Sequence, residues 1–430
     1  MIALTRRAAL AGVGLTIDLL AKRAYAAVER DLARRKLVVI ICRGGLDGLS
    51  LSPPVGDPDY AGLRGSIAIG PFGAADGALR LDDTFGLHPA LTKIHAMAMA
   101  GQARIAPAIA TPDRERSHFE AQDVLESGAA KVYSTSSGWL NRALATLGPA
   151  AKAISVGPTA PLVLRGPREA ASWSPGAMAE RDHRLPAILQ DLYANDPLLG
   201  PALAQGLATQ AMAKTALADA AATSAAIQAA DAPPMAPNQA MTGQTMMGQA
   251  TPPPPATAQG LVQAEKIGAT LAGFMVQPGG FQVAAVSIDN FDTHANQGAA
   301  KGQLATRLAY VDAFAEGLRS GLGPSWSDSV IVMATEFGRT ARINGTGGTD
   351  HGTASTALVL GGALKRGGII GDWPTLRQAS LFENRDLAPA LDMRGLFKGV
   401  LRDHLGVDRA ALDSRVFPES AGAPPVAGLA

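Results

Sequence analysis

The sequence predicts an α/β fold, because apolar runs of strand length are separated by a segment with helical periodicity. The runs at 283–287, 330–334 and 357–360 have the length and composition of buried strands. Between the first two runs, apolar residues recur at the spacing of an amphipathic helix, at Leu304, Leu308, Val311, Ala315 and Leu318. This succession indicates an open sheet packed against helices.

Acidic and histidine side chains lie at the ends of these predicted strands. Asp292 and His294 follow the first run, Glu336 follows the second, and Asp350 and His351 precede the third. Ligands of open α/β sheets bind at the carboxyl ends of strands, so this placement predicts a functional site. From an extended segment Asp292 and His294 can point the same way, which suits a divalent cation.

A structural interpretation of the same residues stays open. Asp292 and Asp350 are residues that cap turns and loops, and Glu336 can pair with Arg339 or Arg342. Three separate strand ends that all carry acid or histidine favour a site.

Another predicted strand covers residues 36–42, and a glycine-rich turn with Asp47 follows it. Glycines at this turn let the backbone approach a ligand closely and present Asp47, although a tight turn without a ligand uses the same residues. Cys42 is the only cysteine, which excludes an internal disulfide, and its apolar strand predicts that it is buried.

The predicted strand at 103–110 leads to Arg116, Ser117 and His118, where a helix begins. Ser117 and Glu120 fit a capping box, which is the structural interpretation. The functional interpretation makes Ser117 a nucleophile or an anion-holding group at a helix N-terminus. Arg116 and His118 would then add positive charge for a phosphate or sulfate group.

The N-terminus carries the marks of an export signal. Arg6 and Arg7 form a twin-arginine signature, an apolar run covers 11–20, and Ala24-Tyr25-Ala26 fits a signal-peptidase site. Residues 1–26 are therefore predicted to be a Tat signal peptide, read by the Tat export machinery, and the mature protein is expected in the periplasm or otherwise exported. The competing interpretation is a plain amphipathic helix.

Length, composition and charge limit the other possibilities. The chain has 430 residues and is 47% hydrophobic, which is enough for one large domain or two ordinary ones. The 38 basic residues balance 37 acidic ones, so no nucleic-acid partner is expected. The apolar run at 11–20 is too short for a stable membrane span.

One domain over residues 27–430 is predicted, interrupted by an insertion at about 184–265. The insertion is helical and alanine-rich at first and then rich in proline and methionine, which predicts a mobile linker at 231–258. Elsewhere we expect a helix from Trp139, short strands at 153–156 and 162–164, a helix at about 391–405 and a loose tail from Pro418.

Six ordered motifs resemble those of the DUF1501 family of exported bacterial proteins. They are LVVIICRGGLDGLS at 37–50, RSHFEAQD at 116–123, DTHANQ at 292–297, EFGRT at 336–340, DHGT at 350–353 and GDWP at 371–374. The family is of unknown function and is grouped with the alkaline phosphatase/sulfatase superfamily. The resemblance implies a three-layer α/β/α sandwich with metal ligands at strand ends.

The resemblance also implies roles for individual residues. Asp292 and His294 are similar to the superfamily's metal-binding segment, with Asp289 as an alternate, and His351 resembles its last metal-binding histidine. At 336–337 the superfamily usually has an aspartate and a histidine, and this chain has glutamate and phenylalanine, which removes one ligand.

Two further positions are compared with the pattern of the superfamily. Asp47 lies five residues beyond its strand, whereas the superfamily's first aspartate usually follows its strand directly. Ser117 could take the place of the superfamily's nucleophile.

The expected function is a metal-dependent hydrolase that acts on an anionic ester of phosphate or sulfate. Its metal would be Zn, Mn or Ca, held by Asp47, Asp292, His294, Glu336, Asp350 and His351, with Arg43 or Arg116 near the transferring group. The alternative is a non-catalytic binding or scaffold protein on a phosphatase-like fold, motivated by Phe337. A structural metal or anion site would need to be closed to solvent.

Overall fold

The computed structural model describes residues 31–157, 160–174, parts of the stretch from 189 to 215, and 258–430. The predicted signal peptide at 1–26 and nearly all of the predicted linker at 231–258 lie outside the described residues. Within the described part of the chain, no helix is long and apolar enough to cross a membrane.

A large, mostly parallel sheet forms the centre of the fold. The strands of the described chain are β1 (Lys36–Cys42), β2 (Leu79–Arg80), β3 (Gly86–Leu87), β4 (Ala103–Ala110), β5 (Ala153–Val156), β6 (Ala170–Trp173), β7 (Val283–Ile288), β8 (Ser329–Ala334), β9 (Ser355–Leu360), β10 (Gly368–Ile369) and β11 (Leu391–Asp392). The main sheet has the order β10-β4-β9-β8-β1-β7-β5-β6, with β11 also paired to β4, while β2 and β3 form a small antiparallel pair.

The strand pairings show which strands end at the same edge of the sheet. β1 runs parallel to both of its neighbours, so that Leu37 lies beside Val283 of β7 and Val330 of β8. β9 is antiparallel to both β4 and β8. β4, β7 and β8 therefore end at the same edge of the sheet, and β9 begins there.

Helices cover both faces of the sheet. They are α1 (Gly48–Leu51), α2 (Tyr60–Arg64), α3 (Thr92–Met99), α4 (His118–Ser127), α5 (Trp139–Leu147), α6 (Ala258–Val276), α7 (Gln303–Leu322), α8 (Met393–Leu405) and α9 (Arg409–Ala411). Val38 and Ile40 of β1 pack in one apolar cluster with α3, α6 and α7, whereas Val39 and Ile41 pack in another with α5 and α8. Because both faces are buried, β1 is a continuous apolar run rather than an alternating one.

The α/β prediction is confirmed, and most of the predicted elements are found. The strand at 162–164 is a wrong prediction: this segment is a short 3₁₀ helix in which the N–H of Leu164 donates to the carbonyl of Pro161. An apolar run of three residues does not distinguish these two structures. The neighbouring strand β6 was not predicted.

The prediction of a loose tail from Pro418 is also wrong. Lys398 of α8 is fully buried, and its ammonium donates to the carbonyls of Ser420 and Ala423 at 2.7 and 3.0 Å. Leu429 is buried as well, and its N–H donates to Asp403. The tail is held by main-chain carbonyls, which the residue composition does not reveal.

The burial of His404 in α8 predicts that the stability of the fold depends on pH. Its ring is buried, Nε2 donates to the carbonyl of Lys36 at 2.9 Å, and burial lowers the pKa of His404 to about 4. The unfolded chain takes up a proton here below its ordinary pKa of about 6.5. The stabilisation by the neutral ring is therefore complete above about pH 6.5 and is lost as the pH falls towards 4.

We predict that His404→Gln, which keeps a neutral donor, weakens this dependence. Between about pH 7 and pH 5 the wild-type free energy of unfolding should fall by about 2 kcal/mol more than that of the variant, as measured by urea denaturation. Parallel losses in the two proteins would show that His404 is not the group responsible.

Candidate metal centre

The sheet brings four chain segments to one edge. The segments after β7 and β8 meet the start of β9, and the loop after β4 leads into α4 at the same place. Asp292 and His294 come from the first, His118 begins α4, and His351 precedes β9. Residues from distant parts of the sequence therefore face one another.

Asp292 is the centre of this group. Its Oδ1 lies 3.0 Å from Nε2 of His294 and 3.3 Å from Nε2 of His351, and its Oδ2 lies 3.6 Å from Nε2 of His118. The two ring nitrogens of His294 and His351 are 3.0 Å apart. His118, Asp292 and His351 each offer one ligand atom within 4.8 Å of the others, so they form a possible three-residue metal site.

The imidazole rings of His118, His294 and His351 each contact an oxygen atom through Nδ1. His118 contacts Oε1 of Glu336 at 2.9 Å, His351 contacts the carbonyl of Arg116 at 2.9 Å, and His294 contacts Oδ1 of Asp350 at 3.3 Å. All three partners are acceptors, so a ring that binds a metal through Nε2 can keep its hydrogen on Nδ1 and donate it to its partner. The lone pair of each Nε2 is then directed towards the space beside Asp292.

This donor set fits a divalent cation. Ligand atoms bound to one tetrahedral zinc at about 2.0–2.2 Å lie roughly 3.3–3.6 Å apart, close to the separations around Asp292. Nε2 of His118 is buried and has no hydrogen-bond partner. A metal that accepts this lone pair would satisfy it, and imidazoles held by acceptors at their other nitrogen are the usual arrangement at metal sites.

The charge of Asp292 is fixed by a buried arginine. Arg339 is 1% exposed, and its guanidinium donates to Asp292 and to the carbonyls of Gly44, Gly45 and Thr349. Burial by itself would raise the pKa of Asp292, but the hydrogen bond and charge of Arg339 outweigh it and hold the pKa below its usual value. Asp292 is therefore a carboxylate at neutral pH.

Gly44 allows this arrangement because a side chain there would not fit. Its φ is +113°, and a Cβ would lie 2.6 Å from the backbone nitrogen of Asp292. The loop after β1 can therefore lie directly against the Asp292 loop, which brings two carbonyls to Arg339.

Glu336 lies behind His118 rather than beside the other candidate ligands. The side chain is fully buried, and Oε1 accepts from His118, from the N–H of Gly44 and from Gln122, while Oε2 accepts from the hydroxyl of Thr335. Burial would raise the pKa of Glu336, but these hydrogen bonds outweigh it and lower the pKa. The hydrogen bond to Glu336 in turn raises the pKa of His118, whereas burial lowers the pKa of His351.

The structure does not bring Asp47 into the histidine group. Asp47 caps α1, is 1% exposed, and pairs with the buried guanidinium of Arg64. Asp350 contacts His294 from the outer side, and Asp289 is exposed and not part of the group. The expected pairing of Glu336 with Arg339 or Arg342 is not formed, since Arg339 pairs with Asp292 instead.

Ser117 is the residue that precedes α4, but the capping box does not form. Its side chain makes no cap hydrogen bond, so the first N–H groups of α4 are not capped by it. Arg116, which has a φ of +58°, pairs with Asp386 and Glu383. Its guanidinium is thus bound by two carboxylates.

Arg43 and Phe337 complete the description of the predicted residues. Arg43 pairs with buried Glu126 of α4. Phe337 is 5% exposed, and the centre of its ring lies 4.8 Å from that of His118 and 4.7 Å from that of His351. An apolar ring therefore occupies the space beside the two histidines.

Sequence reasoning missed the roles of Arg339 and Gln122. Arg339 lies in the EFGRT motif, yet nothing local shows that its partner is Asp292, 47 residues away in sequence. Gln122 could have been found, because it follows His118 by four residues and thus shares its helix face. Arg339 donates to the candidate ligand Asp292, and Gln122 donates to Glu336, which contacts the candidate ligand His118.

The fold and the site define a mixed α/β protein with a possible metal centre at the carboxyl edge of a mostly parallel sheet. The chain belongs to the DUF1501 family, described as proteins of unknown function, whose family model matches residues 34–416. No curated protein matches it.

Among solved structures, the chain is similar to the C-terminal periplasmic domain of EcEptC from Escherichia coli in complex with Zn. The identity is 10% and the TM-score 0.39, over 90% of this chain and 87% of that chain. A likeness at this level carries no argument about this protein, so the function is argued from the site itself.

We predict that His118→Ala and His351→Ala each weaken Zn²⁺ binding by about 100-fold or more, because each removes one of few ligands. Competition with a chromophoric chelator measures the affinity. His95→Ala is the matched control, since His95 lies in α3 and contacts the carbonyl of Arg80 instead. Wild-type affinity in both site variants of folded protein would exclude these histidines as ligands.

Proposed function

We propose that this protein is an exported, metal-dependent hydrolase of phosphate or sulfate esters on an alkaline phosphatase-like α/β/α sandwich. The observation that carries the proposal is the convergence of the Nε2 atoms of His118, His294 and His351 on the carboxylate of Asp292. Export rests on the predicted Tat signal at residues 1–26.

The candidate ligands are His118, Asp292 and His351, with His294 as a fourth donor. Imidazole nitrogens suit Zn²⁺ and a carboxylate suits Mn²⁺, whereas Ca²⁺ takes oxygen ligands, so we favour Zn²⁺ first and Mn²⁺ second. Glu336 and Asp350 are proposed to orient the rings of His118 and His294, and Asp47 supports the fold nearby. Phe337 fills the adjacent space, which favours a single metal ion.

The site is open to solvent, as a catalytic site must be. The side chains of Asp292 and His294 are 42% and 45% exposed. Structural metal sites are closed by four protein ligands, while catalytic sites keep a position for water or substrate. This exposure supports catalysis over a purely structural metal.

The chain's own groups can bind an anionic ester beside the ligands. α4 begins at His118, and its first N–H groups are not capped by the hydroxyl of Ser117. Helix N-termini bind phosphate and similar anions through such N–H groups and the positive end of the helix dipole. The anionic oxygens of the substrate are thus proposed to lie at the start of α4, rather than on the guanidinium of Arg116.

Ser117 is the proposed nucleophile because its hydroxyl makes no cap hydrogen bond and because it directly precedes His118 in the sequence. A divalent cation in the cluster would polarise the ester and lower the pKa of the attacking hydroxyl. His118 would be one of the ligands that hold this cation next to Ser117 in the chain. Glu336 keeps that ring in the required orientation.

A non-catalytic binding protein is the second candidate, and Phe337 is the observation that favours it. Its ring lies against both His118 and His351 and leaves less room for substrate groups. A binding protein would hold the metal and an anionic ligand without turnover.

We expect Zn²⁺- or Mn²⁺-loaded protein to hydrolyse aryl phosphate or sulfate esters, and Ser117→Ala to lower the rate by on the order of 10⁴-fold. Release of the aryl leaving group measures turnover, and the two ester classes are assayed separately. Ser327→Ala, at the opposite edge of the sheet near the start of β8, should keep the wild-type rate.

The outcomes separate the candidates. A Ser117→Ala rate within about tenfold of wild type would remove Ser117 from the mechanism but leave the hydrolase. No turnover of either ester class by protein that holds stoichiometric metal would favour the binding protein.

A further inference from the structure

Gln297 lies beneath both loops that carry the candidate ligands, and its side chain is fully buried. Its Oε1 accepts hydrogen bonds from the hydroxyl of Thr293 at 2.8 Å and from that of Thr349 at 2.9 Å. Thr293 separates the two candidate ligands of the loop after β7, whereas Thr349 comes two residues before His351. One oxygen atom therefore joins the two loops.

The other end of the same amide is anchored in the core. Nε2 of Gln297 donates to Oδ2 of Asp47 at 2.7 Å and to the hydroxyl of Ser50 at 3.2 Å. Asp47 is held by Arg64, and both side chains are buried. Because the carboxylate of Asp47 only accepts, it fixes which end of the amide faces the threonines.

A glutamine is required here by hydrogen-bond chemistry. The position needs an acceptor towards Thr293 and Thr349 and a donor towards Asp47, which a side-chain amide supplies in one rigid group. A carboxylate would lie against the charge of Asp47. An apolar side chain would leave four buried polar groups, those of Thr293, Thr349, Asp47 and Ser50, without this partner.

The link acts on the spacing of candidate ligands. The loops also contact each other directly, since the N–H of Thr349 donates to the carbonyl of Thr293 at 3.2 Å. On the same two loops, Oδ1 of Asp292 and Nε2 of His351 lie 3.3 Å apart. Metal–ligand distances tolerate only about 0.2 Å of error, so a small slip between the loops weakens binding.

We propose that Gln297 is a positioning residue: by holding Thr293 and Thr349 on one oxygen it sets the spacing of Asp292 and His351 and thereby the affinity for a divalent cation. The inference rests on the proposed metal centre and adds the element that preorganises it. Gln297 itself contacts neither metal nor substrate.

The chain offers a matched control in Gln282, a second buried glutamine that joins two segments. Its Oε1 accepts from the N–H of Lys152 at 2.9 Å, and its Nε2 donates to the carbonyl of Gly280 at 3.0 Å. Gln282 precedes β7 and therefore lies at the opposite edge of the sheet from the ligands. Gln297→Met and Gln282→Met both remove a buried amide at similar volume.

The test is a Zn²⁺ titration of the full chain after removal of metal with a chelator, in competition with a chromophoric chelator. Gln297→Met should weaken Zn²⁺ binding by about 10- to 100-fold, as changes behind metal ligands commonly do. Gln282→Met should stay within about twofold of wild type, although thermal unfolding of both metal-free variants shifts downward.

Thr349 provides a second pair of variants with smaller changes in structure. This pair tests the positioning role of Gln297 if Gln297→Met does not fold. Thr349→Val removes the hydroxyl donor and should weaken Zn²⁺ binding by about tenfold, whereas Thr349→Ser keeps the donor and should restore it. The visible spectrum of the Co²⁺-loaded protein should change in Thr349→Val and not in Thr349→Ser, since it reports the ligand geometry.

Two outcomes would overturn the inference in distinguishable ways. Wild-type Zn²⁺ affinity in folded Gln297→Met, or equal affinities for the two Thr349 variants, would reject Gln297 as a positioning residue while leaving the metal centre intact. Failure of the wild-type protein to bind Zn²⁺ would reject the metal centre and the positioning role together.

Discussion

The contact between Nδ1 of each imidazole and an acceptor oxygen is the interaction on which the candidate site depends. Glu336, the carbonyl of Arg116 and Asp350 each contact Nδ1 of one ring, which leaves the three Nε2 atoms on the side of Asp292. A cation bound between them would be attracted both by the Nε2 lone pairs and by the carboxylate. The rest of the fold can be understood as the framework that keeps these acceptors in place.

That framework consists of buried polar groups whose hydrogen bonds are made by side chains and by the main chain of other segments. Arg339 joins the loop after β1 to Asp292, and Glu336 joins the same loop to α4. Gln297 joins the loop after β7 to the loop before β9. Buried polar and charged groups of this kind are costly unless they are hydrogen-bonded, and here they are concentrated at the edge of the sheet that carries the proposed site.

The sequence predicted the parts of this arrangement that depend on local pattern. Strand-length apolar runs located β1, β4, β7, β8 and β9, and the acids and histidines at their ends located the edge of the sheet that carries the site. Local pattern could not assign partners across the sheet. It made Glu336 a candidate ligand although Glu336 lies behind His118, and it made Arg116 a candidate anion clamp although Asp386 and Glu383 bind its guanidinium.

The same limit explains the remaining differences. Asp47 was a reasonable candidate ligand because a carboxylate follows a strand within a glycine-rich turn, and only its distant partner Arg64 shows that it is part of the core. The C-terminal tail was expected to be loose from its composition, but the ammonium of Lys398 binds main-chain carbonyls that any sequence would supply. Such partners are fixed by tertiary packing and leave no local signal.

One divalent cation is proposed to bind between His118, Asp292 and His351. A crystal of the Zn²⁺-loaded protein, measured above and below the zinc absorption edge, tests it directly. We expect one anomalous peak at about 2.0–2.2 Å from Nε2 of His118, a carboxylate oxygen of Asp292 and Nε2 of His351. A peak elsewhere, or no peak at this position in fully loaded protein, would rule out a metal ion held by these three residues.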